Sequence, residues 1–405
     1  MSDRSGADVV VIGAGPIGCA IARLLALRGA DVIVVERDSP GRAAGWAAGG
    51  MLSPLAEADG PGPFLDLAFA SLDRFPRLVS ALEAATGVDL EYRASGKLEI
   101  ALDEARAARL EARFRWQREH GYDTEWLDEG AARRLEPALT DAVRAAIRIA
   151  PDHRLDNRRF ARALWIGARL AGAAFRLGSP AVRIATRPAA RADAPGLAVD
   201  GVDLADGASL RADHVVVAAG CWSGRIRGLP RPLPVFPVRG QMVAVEAVPP
   251  PLERVVANAA GYVIPRADGR LIIGSTMERV GYRAHPTAQG VATLLRRGLC
   301  MVPGLAEARV AETWAGLRPG TPDGRPVLGE DPDVEGLIYA TGHFRNGILL
   351  TPITAEIVEA AIVGEEPPVT LAPFAAHRDF EVESGAATHG KRAARDVDAD
   401  SGRDA

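Results

Sequence analysis

The sequence predicts an α/β protein: a Rossmann-type nucleotide-binding domain with a parallel sheet, interleaved with an α+β substrate domain built on an antiparallel sheet. Three observations lead there. An apolar run at residues 9–12 stops at Gly13-x-Gly15-x-x-Gly18 and passes into a helical pattern, Ile17, Ile21, Leu24 and Leu25. A valine-rich run at residues 214–219 and a mostly apolar run at 337–341 close far downstream on Gly220 and Gly342. Between these, residues 237–319 contain alternating stretches and a hairpin signal, the pattern of an antiparallel sheet.

The first unit reads as strand, tight turn and helix, followed by a second apolar run at residues 32–35 that ends on Glu36. Gly13 permits the sharp turn, Gly15 lets the backbone approach a pyrophosphate, and Gly18 lets the helix pack close to the strand. The helix N-terminus offers N–H groups to phosphate charge, and Glu36 stands about 20 residues beyond the glycines, where a ribose hydroxyl would donate to it. A glycine triplet alone also fits an ordinary turn; strand, helix and terminal acid together favour a dinucleotide site. The next stretch, residues 41–51, is too poor in charge for a solvated loop. As a linker it would leave Trp46 and Met51 exposed, so its small residues are read as a loop packed on the cofactor.

Further along, residues 64–86 read as helical, 96–102 as a half-buried strand and 103–120 as a polar helix. Asp156 is an N-cap candidate for a helix with Phe160, Leu164 and Ala168 on one face, closed by Gly172. A short run at residues 173–177, then residues 180–182 and a polar stretch with Asp206-Gly207 lead into the strand ending at Ala219 and Gly220. Such small residues at a strand's C-terminal end suit a ligand lying beside them. In the antiparallel region, residues 241–246 alternate, and residues 261–266 join 270–274 through Asp268-Gly269 as a hairpin. A helix at about 287–300 and a strand at 309–317 complete it. The final unit is a strand at 337–342, a turn at 343–347 and a helix at 348–363. These elements place a discontinuous nucleotide domain at 6–87, 148–232 and 325–372, and a substrate domain at 88–147 and 233–324. Residues 376–405 are polar and rich in Gly, Arg and Asp, and are expected to be disordered.

With 52 acidic and 48 basic residues, the net charge of -4 gives no electrostatic case for nucleic acid or an anionic membrane surface. The polar start has no signal-peptide pattern, and no run approaches the roughly 18 apolar residues of a membrane span. Cys19, Cys221 and Cys300 are isolated and the histidines scattered, so neither disulfides nor a metal is expected, and the location expected is cytoplasmic.

Six motifs then occur in order between residues 8 and 362: Gly13-Ala-Gly15-Pro-Ile-Gly18, Ala47-Ala-Gly-Gly-Met51, Gly240-Gln-Met242, Tyr262-Val-Ile-Pro265 with Gly274-Ser-Thr-Met277, Trp314-Ala-Gly-Leu-Arg318-Pro-Gly, and Gly342-His-Phe-Arg345-Asn-Gly-Ile-Leu. Together they resemble the glycine oxidases of thiamine biosynthesis, within the D-amino-acid oxidase-like flavoproteins. The resemblance implies non-covalent FAD, with the diphosphate at Pro16 and Ile17 and the adenosine ribose at Glu36 and Arg37. It also implies loop contacts at Ala44, Gly45, Gly49, Gly50 and Met51, adenine contacts near Ala181 or Val182, and flavin contacts along His343, Phe344, Arg345, Asn346, Gly347, Ile348 and Leu349. Family members usually carry hydroxyl residues near positions 44 and 45; Ala44 and Gly45 leave only backbone contacts there.

By the same resemblance, the substrate carboxylate meets Arg318 and the Tyr262 hydroxyl, Arg345 holds the amine partly through its carbonyl, and Met277 lines the pocket. The implied reaction is hydride transfer from the α-carbon of glycine, or of another small amine or D-amino acid, to flavin N5. Its products are an imine or glyoxylate with ammonia, and hydrogen peroxide from molecular oxygen; the imine would be handed to the thiazole synthase. A sarcosine or D-amino-acid oxidase or dehydrogenase of the same family is the alternative, and homo-oligomers are compatible with either. On the residues alone, Arg318 would also fit a surface position, Tyr262 a core tyrosine and Arg345 a domain interface.

Overall fold

The computed structural model describes residues 5–58, 60–190 and 196–380. Its larger sheet has nine strands, six of which run in the order Ala174–Leu177, Val32–Glu36, Gly6–Ile12, Ser209–Val217, Leu337–Thr341 and Val327–Glu330. The first five are parallel and the last is antiparallel. Ala181–Pro188 and Leu197–Leu204 form an antiparallel meander with Ser209–Val217, and Val334–Glu335 joins its edge. The first strand is apolar at consecutive positions because both faces are covered. Val9 and Val11 pack under the helices Pro16–Leu27, Asn157–Leu170 and Thr351–Val363, while Val10 and Ile12 meet Ile184, Val202 and Leu233 on the other side.

The second sheet has eight strands in the order Arg309–Gly320, Phe236–Glu246, Arg270–Gly274, Gly261–Pro265, Val255–Asn258, Lys97–Ala101, Ala145–Ile149 and Thr124–Asp128. All pairs are antiparallel except Val255–Asn258 with Lys97–Ala101. We propose that the two sheets mark the nucleotide and substrate domains. The strand Ala145–Ile149 belongs wholly to the second sheet, so a boundary at residue 148 falls two residues early.

Local chemistry accounts for several boundaries. Asp156 caps Asn157–Leu170 as expected, its Oδ1 accepting from the N–H groups of Arg158 and Arg159 at 2.9 and 3.0 Å. The helical stretch at 64–86 is two helices, Pro63–Leu72 and Phe75–Thr86; Pro76 suits the first turn of a new helix and disfavours helical backbone just before it. The last helix starts at Thr351 rather than 348, because the preceding residues close a turn with Leu350 N–H on Asn346 O at 2.8 Å.

The chain expected to be disordered from 376 is ordered as far as it is described, to residue 380. Ala376 is buried, and Arg378 makes a two-pronged, almost fully buried ion pair with Asp323 at 2.8 and 3.1 Å. Composition hid this, because one buried charge pair anchors a segment that has little apolar surface. Residues 381–405 lie outside the described residues.

Candidate functional site

A cavity of about 330 Å³ opens along the C-terminal ends of the parallel strands and runs to the antiparallel sheet. Its phosphate end is built from the glycine turn. Gly13 has φ +111°, and a Cβ there would lie 2.5 Å from Ala218 O; at Gly18 it would lie 1.9 Å from Gly13 O. Those two glycines are required by turn and packing. A Cβ on Gly15 would meet nothing within 4 Å, so this residue lines open space at the start of a helix that no side chain caps. Glu36 is tied to the turn: Oε2 accepts from Ala14 N–H at 2.9 Å and Oε1 from Asp38 N–H at 3.0 Å. Beside it the Arg37 guanidinium stacks 3.6 Å over the Trp222 ring, and Trp222, Arg225, Pro180 and Ala181 continue the wall with Ala219 and Gly220.

The loop at 44–51 is clamped rather than mobile. Asn157 Nδ2 donates to Gly45 O and Trp46 O at 2.8 and 2.9 Å, Trp314 Nε1 to Ala47 O at 3.1 Å, and Arg266 Nη2 to Gly49 O at 2.8 Å. Its small residues chiefly admit protein neighbours. A Cβ on Gly45 would lie 2.4 Å from Pro16, and one on Gly49 would lie 2.7 Å from Ile264. The loop is thus wedged between the glycine-turn helix and the antiparallel sheet, with Ala44, Gly45, Gly49, Gly50 and Met51 along the cavity.

At the far end, half-buried Arg318 is held from behind by Thr276 O and Ser275 Oγ, at 3.1 and 2.7 Å. Gly240 makes its place: a Cβ there would lie 2.1 to 2.4 Å from the guanidinium. Tyr262 lines the same end, its Oη donating to Met242 Sδ at 3.5 Å, with its ring against Gly274. The turn after Leu337–Thr341 returns to this strand end through Phe344 N–H on Pro319 O at 2.9 Å. Phe344 has φ +45°, a strained conformation for an aromatic residue, of the kind that clusters at ligand sites. Phe344, Arg345, Asn346, Gly347 and Ile348 line the cavity, Arg345 being exposed.

His343 also borders the cavity, but its imidazole is buried and shares a 3.0 Å hydrogen bond with Thr354 Oγ1. Burial pushes it down to about 3, so it is neutral at physiological pH. Burial likewise pushes the Cys221 thiol up to about 12.

Most of the expected site residues therefore converge on one cavity. Gly18, Val182, Met277 and Leu349 are not in its wall. Gly18 lies beneath the turn, Val182 O accepts from Arg227 N–H at 3.1 Å within the meander, and Leu349 is a core residue whose carbonyl accepts from Ser71 Oγ at 2.6 Å. Met277 is half-buried one residue beyond the pair that holds Arg318. Trp222, Arg225, Gly240 and Ser275 line the cavity without having been singled out as site residues. Trp222 follows Ala219-Gly220 closely enough to have been noticed, whereas the role of Gly240 depends on cross-strand register.

A family model described as FAD dependent oxidoreductase matches residues 8–361. The chain belongs to this family. The oxidoreductase is 38% identical to the bifunctional protein ThiO/ThiG of Synechocystis sp., over 92% of this chain and 54% of that protein, so it spans about half of that relative. It is 35% identical to the glycine oxidase of Pseudomonas putida, over 91% of this chain and 98% of that enzyme. The crystal structure of glycine oxidase from Geobacillus kaustophilus matches it with a TM-score of 0.86 at 34% identity, covering 93% of this chain and 99% of that one.

FAD is the cofactor of the family, and the residues fit it. The open cradle at Gly15, the uncapped helix and the acid at Glu36 lie at one end, and a long wall of backbone runs from there to Arg318. Among the described residues no His, Cys, Asp and Glu cluster is arranged for a metal, and no helix is long and apolar enough to cross a membrane.

Proposed function

We propose that this FAD-dependent oxidoreductase oxidises glycine, and with it other small amines or D-amino acids, using oxygen as the electron acceptor. The observation that carries the reading is Arg318, a half-buried guanidinium at the end of the cavity, fixed by Ser275 and Thr276 and given room by Gly240. A guanidinium can grip both oxygens of a carboxylate in one plane, which orients a small amino acid as well as binding it. Tyr262 Oη stands at the same end, and its proton, resting on Met242 Sδ at 3.5 Å, can turn to that carboxylate. Arg345 and the carbonyls of its turn are assigned to the amine.

Bound FAD supplies the hydride acceptor, and oxygen restores it with formation of hydrogen peroxide. The chain's own task is to aim the substrate's α-C–H bond. Among the described residues of the cavity wall the one carboxylate is Glu36, engaged by two backbone N–H groups, and His343 is held neutral against Thr354. Among the described residues of the wall no acid or histidine is placed to act as a general base, and none is required if the amine binds neutral.

FAD is held without a covalent bond: Cys19 and Cys221 are buried with thiols pushed up by burial, and Cys300 is exposed on the helix Ala288–Met301, outside the cavity wall. The ThiO/ThiG relative joins its matching part to another in one chain, which supports a hand-over of the product to a thiazole synthase. The test is peroxide formation from glycine, sarcosine and D-alanine by the purified protein. Glycine is expected to give stoichiometric peroxide; turnover of sarcosine or D-alanine with none of glycine would move the assignment to another amine.

A further inference from the structure

A second cavity, of about 320 Å³, lies apart from the FAD site, and its wall includes Arg93, Ser95, Arg154, Glu253, Arg254 and Arg266. Arg93 and Arg154 are antiparallel bridge partners that exchange both backbone hydrogen bonds, at 2.8 and 2.9 Å. Directly opposed residues project to the same face, and like charges so placed repel. The other two guanidinium groups are matched: Arg254 Nη1 lies 3.2 Å from Glu136 Oε1, and Arg266 Nε lies 3.9 Å from Asp156 Oδ2. Exposed Glu253 reaches Arg254 at 3.4 Å.

Arg93 and Arg154 instead donate to the neutral carbonyls of Tyr92, Pro265 and Glu253, and among the described residues neither has a carboxylate within ion-pair distance. The buried Arg154 Nε and Ser95 Oγ also have no hydrogen-bond partner among the described residues. Burial pushes the Arg154 guanidinium down to about 10, and the Arg266 and Arg93 charges push the same way against Glu91. The wall thus carries a cationic pair that, among the described residues, makes no ion pair of its own, with Glu91 acting on Arg154 only at longer range.

We propose that this cavity binds a small oxyanion of the phosphate class, inorganic phosphate or the phosphate of a monoester, between Arg93 and Arg154. Two guanidinium forks offer more donors than one carboxylate can accept, and a phosphate carries both the extra oxygens and the extra charge. The position gives the site a role. Arg154 pairs with Met51 in the short ladder behind the FAD loop, Leu155 N–H donates to Gly50 O at 2.9 Å, and Arg266 holds Gly49 O. An anion there steadies the segment that lines the cofactor cavity.

The test is calorimetric titration of the FAD-loaded full chain with inorganic phosphate and, separately, with glycerol phosphate, in buffer of matched chloride ionic strength. Loaded FAD keeps the titrant out of the diphosphate site. Saturable binding is expected, weakened roughly tenfold or more in Arg93→Ala and in Arg154→Gln and unchanged in Arg309→Ala, an exposed arginine outside the cavity wall. Arg93 is exposed, so its variant remains informative if Arg154→Gln folds poorly. Tighter binding of the ester would name a phosphorylated metabolite as the ligand, and equal binding free phosphate. No saturable heat with either titrant, or binding undiminished in Arg93→Ala, would overturn the proposal.

Discussion

Arg318 and Gly240 form one device. Arg318→Ala removes the carboxylate grip in a site that excludes water, a loss on the order of 2–5 kcal/mol, or roughly 30-fold to several thousand-fold in glycine affinity. Gly240→Ala leaves the arginine in place chemically but puts a methyl where its guanidinium lies. The flexible side chain must shift, and misaim of about 1 Å costs rate as well as binding, so kcat/KM for glycine should fall by roughly 100-fold. Both variants should keep full FAD, since the phosphates sit at the opposite end of the cavity; loss of flavin from Gly240→Ala would show a folding defect instead. His343 supplies a different prediction. Its imidazole ordinarily titrates near 6.5 and is pushed down to about 3 by burial, so the unfolded chain takes up the proton first. The stability His343 contributes is complete above 6.5 and is lost as pH falls toward 3, with a slope of up to about 1.4 kcal/mol per pH unit. His343→Asn should flatten the stability profile over that window, and an unchanged acid slope in the variant would show that His343 is not the group responsible.

At the scale of elements, the FAD loop matters most. Asn157, first residue of its helix and buried, ties two loop carbonyls at once. Asn157→Ala leaves those carbonyls unsatisfied, at a cost of about 1–3 kcal/mol, and should speed FAD loss on dilution by roughly tenfold, measured by recovery of flavin fluorescence. What the sequence made legible follows the same line. The glycine turn, the hairpin through Asp268-Gly269, the Asp156 cap and the small strand ends at Gly220 and Gly342 rest on local backbone chemistry, and they appear where expected. The clamp on the loop was not legible, because Asn157, Arg266 and Trp314 reach it from 111 to 267 residues away along the chain, separations that only the fold closes. Nor could local pattern show that the glycines at 45 and 49 make room for Pro16 and Ile264. The motif resemblance covered part of this gap by naming Arg318, Tyr262 and the turn at 343–349; of the adenine contacts it implied near Ala181 or Val182, Ala181 lines the cavity and Val182 does not, and Met277 and Leu349 also lie outside the wall.

For the whole molecule, the two sheets meet where the turn at 342–347 bonds to the strand carrying Arg318, so the cofactor cavity and the substrate end belong to one folded unit. The C-terminal segment supports that unit. Arg378 pairs with Asp323, which belongs to the turn packed near Gly342. Ending the chain after 375 breaks this buried pair, at about 3–5 kcal/mol, and should lower the melting temperature by several degrees. Ending it after 380 should not; a large drop there would assign residues 381–405 a stabilising contact. Precipitation with acid should release the flavin into solution, and a pellet that stayed yellow would show a covalent link. The most direct measurement of the central claim is anaerobic mixing of the FAD-loaded protein with glycine while the flavin's visible absorbance is followed. Bleaching that saturates with glycine is expected in the native protein, with far higher glycine needed in Arg318→Ala. A flavin never bleached by glycine, or bleached with the same glycine dependence in both proteins, would contradict it.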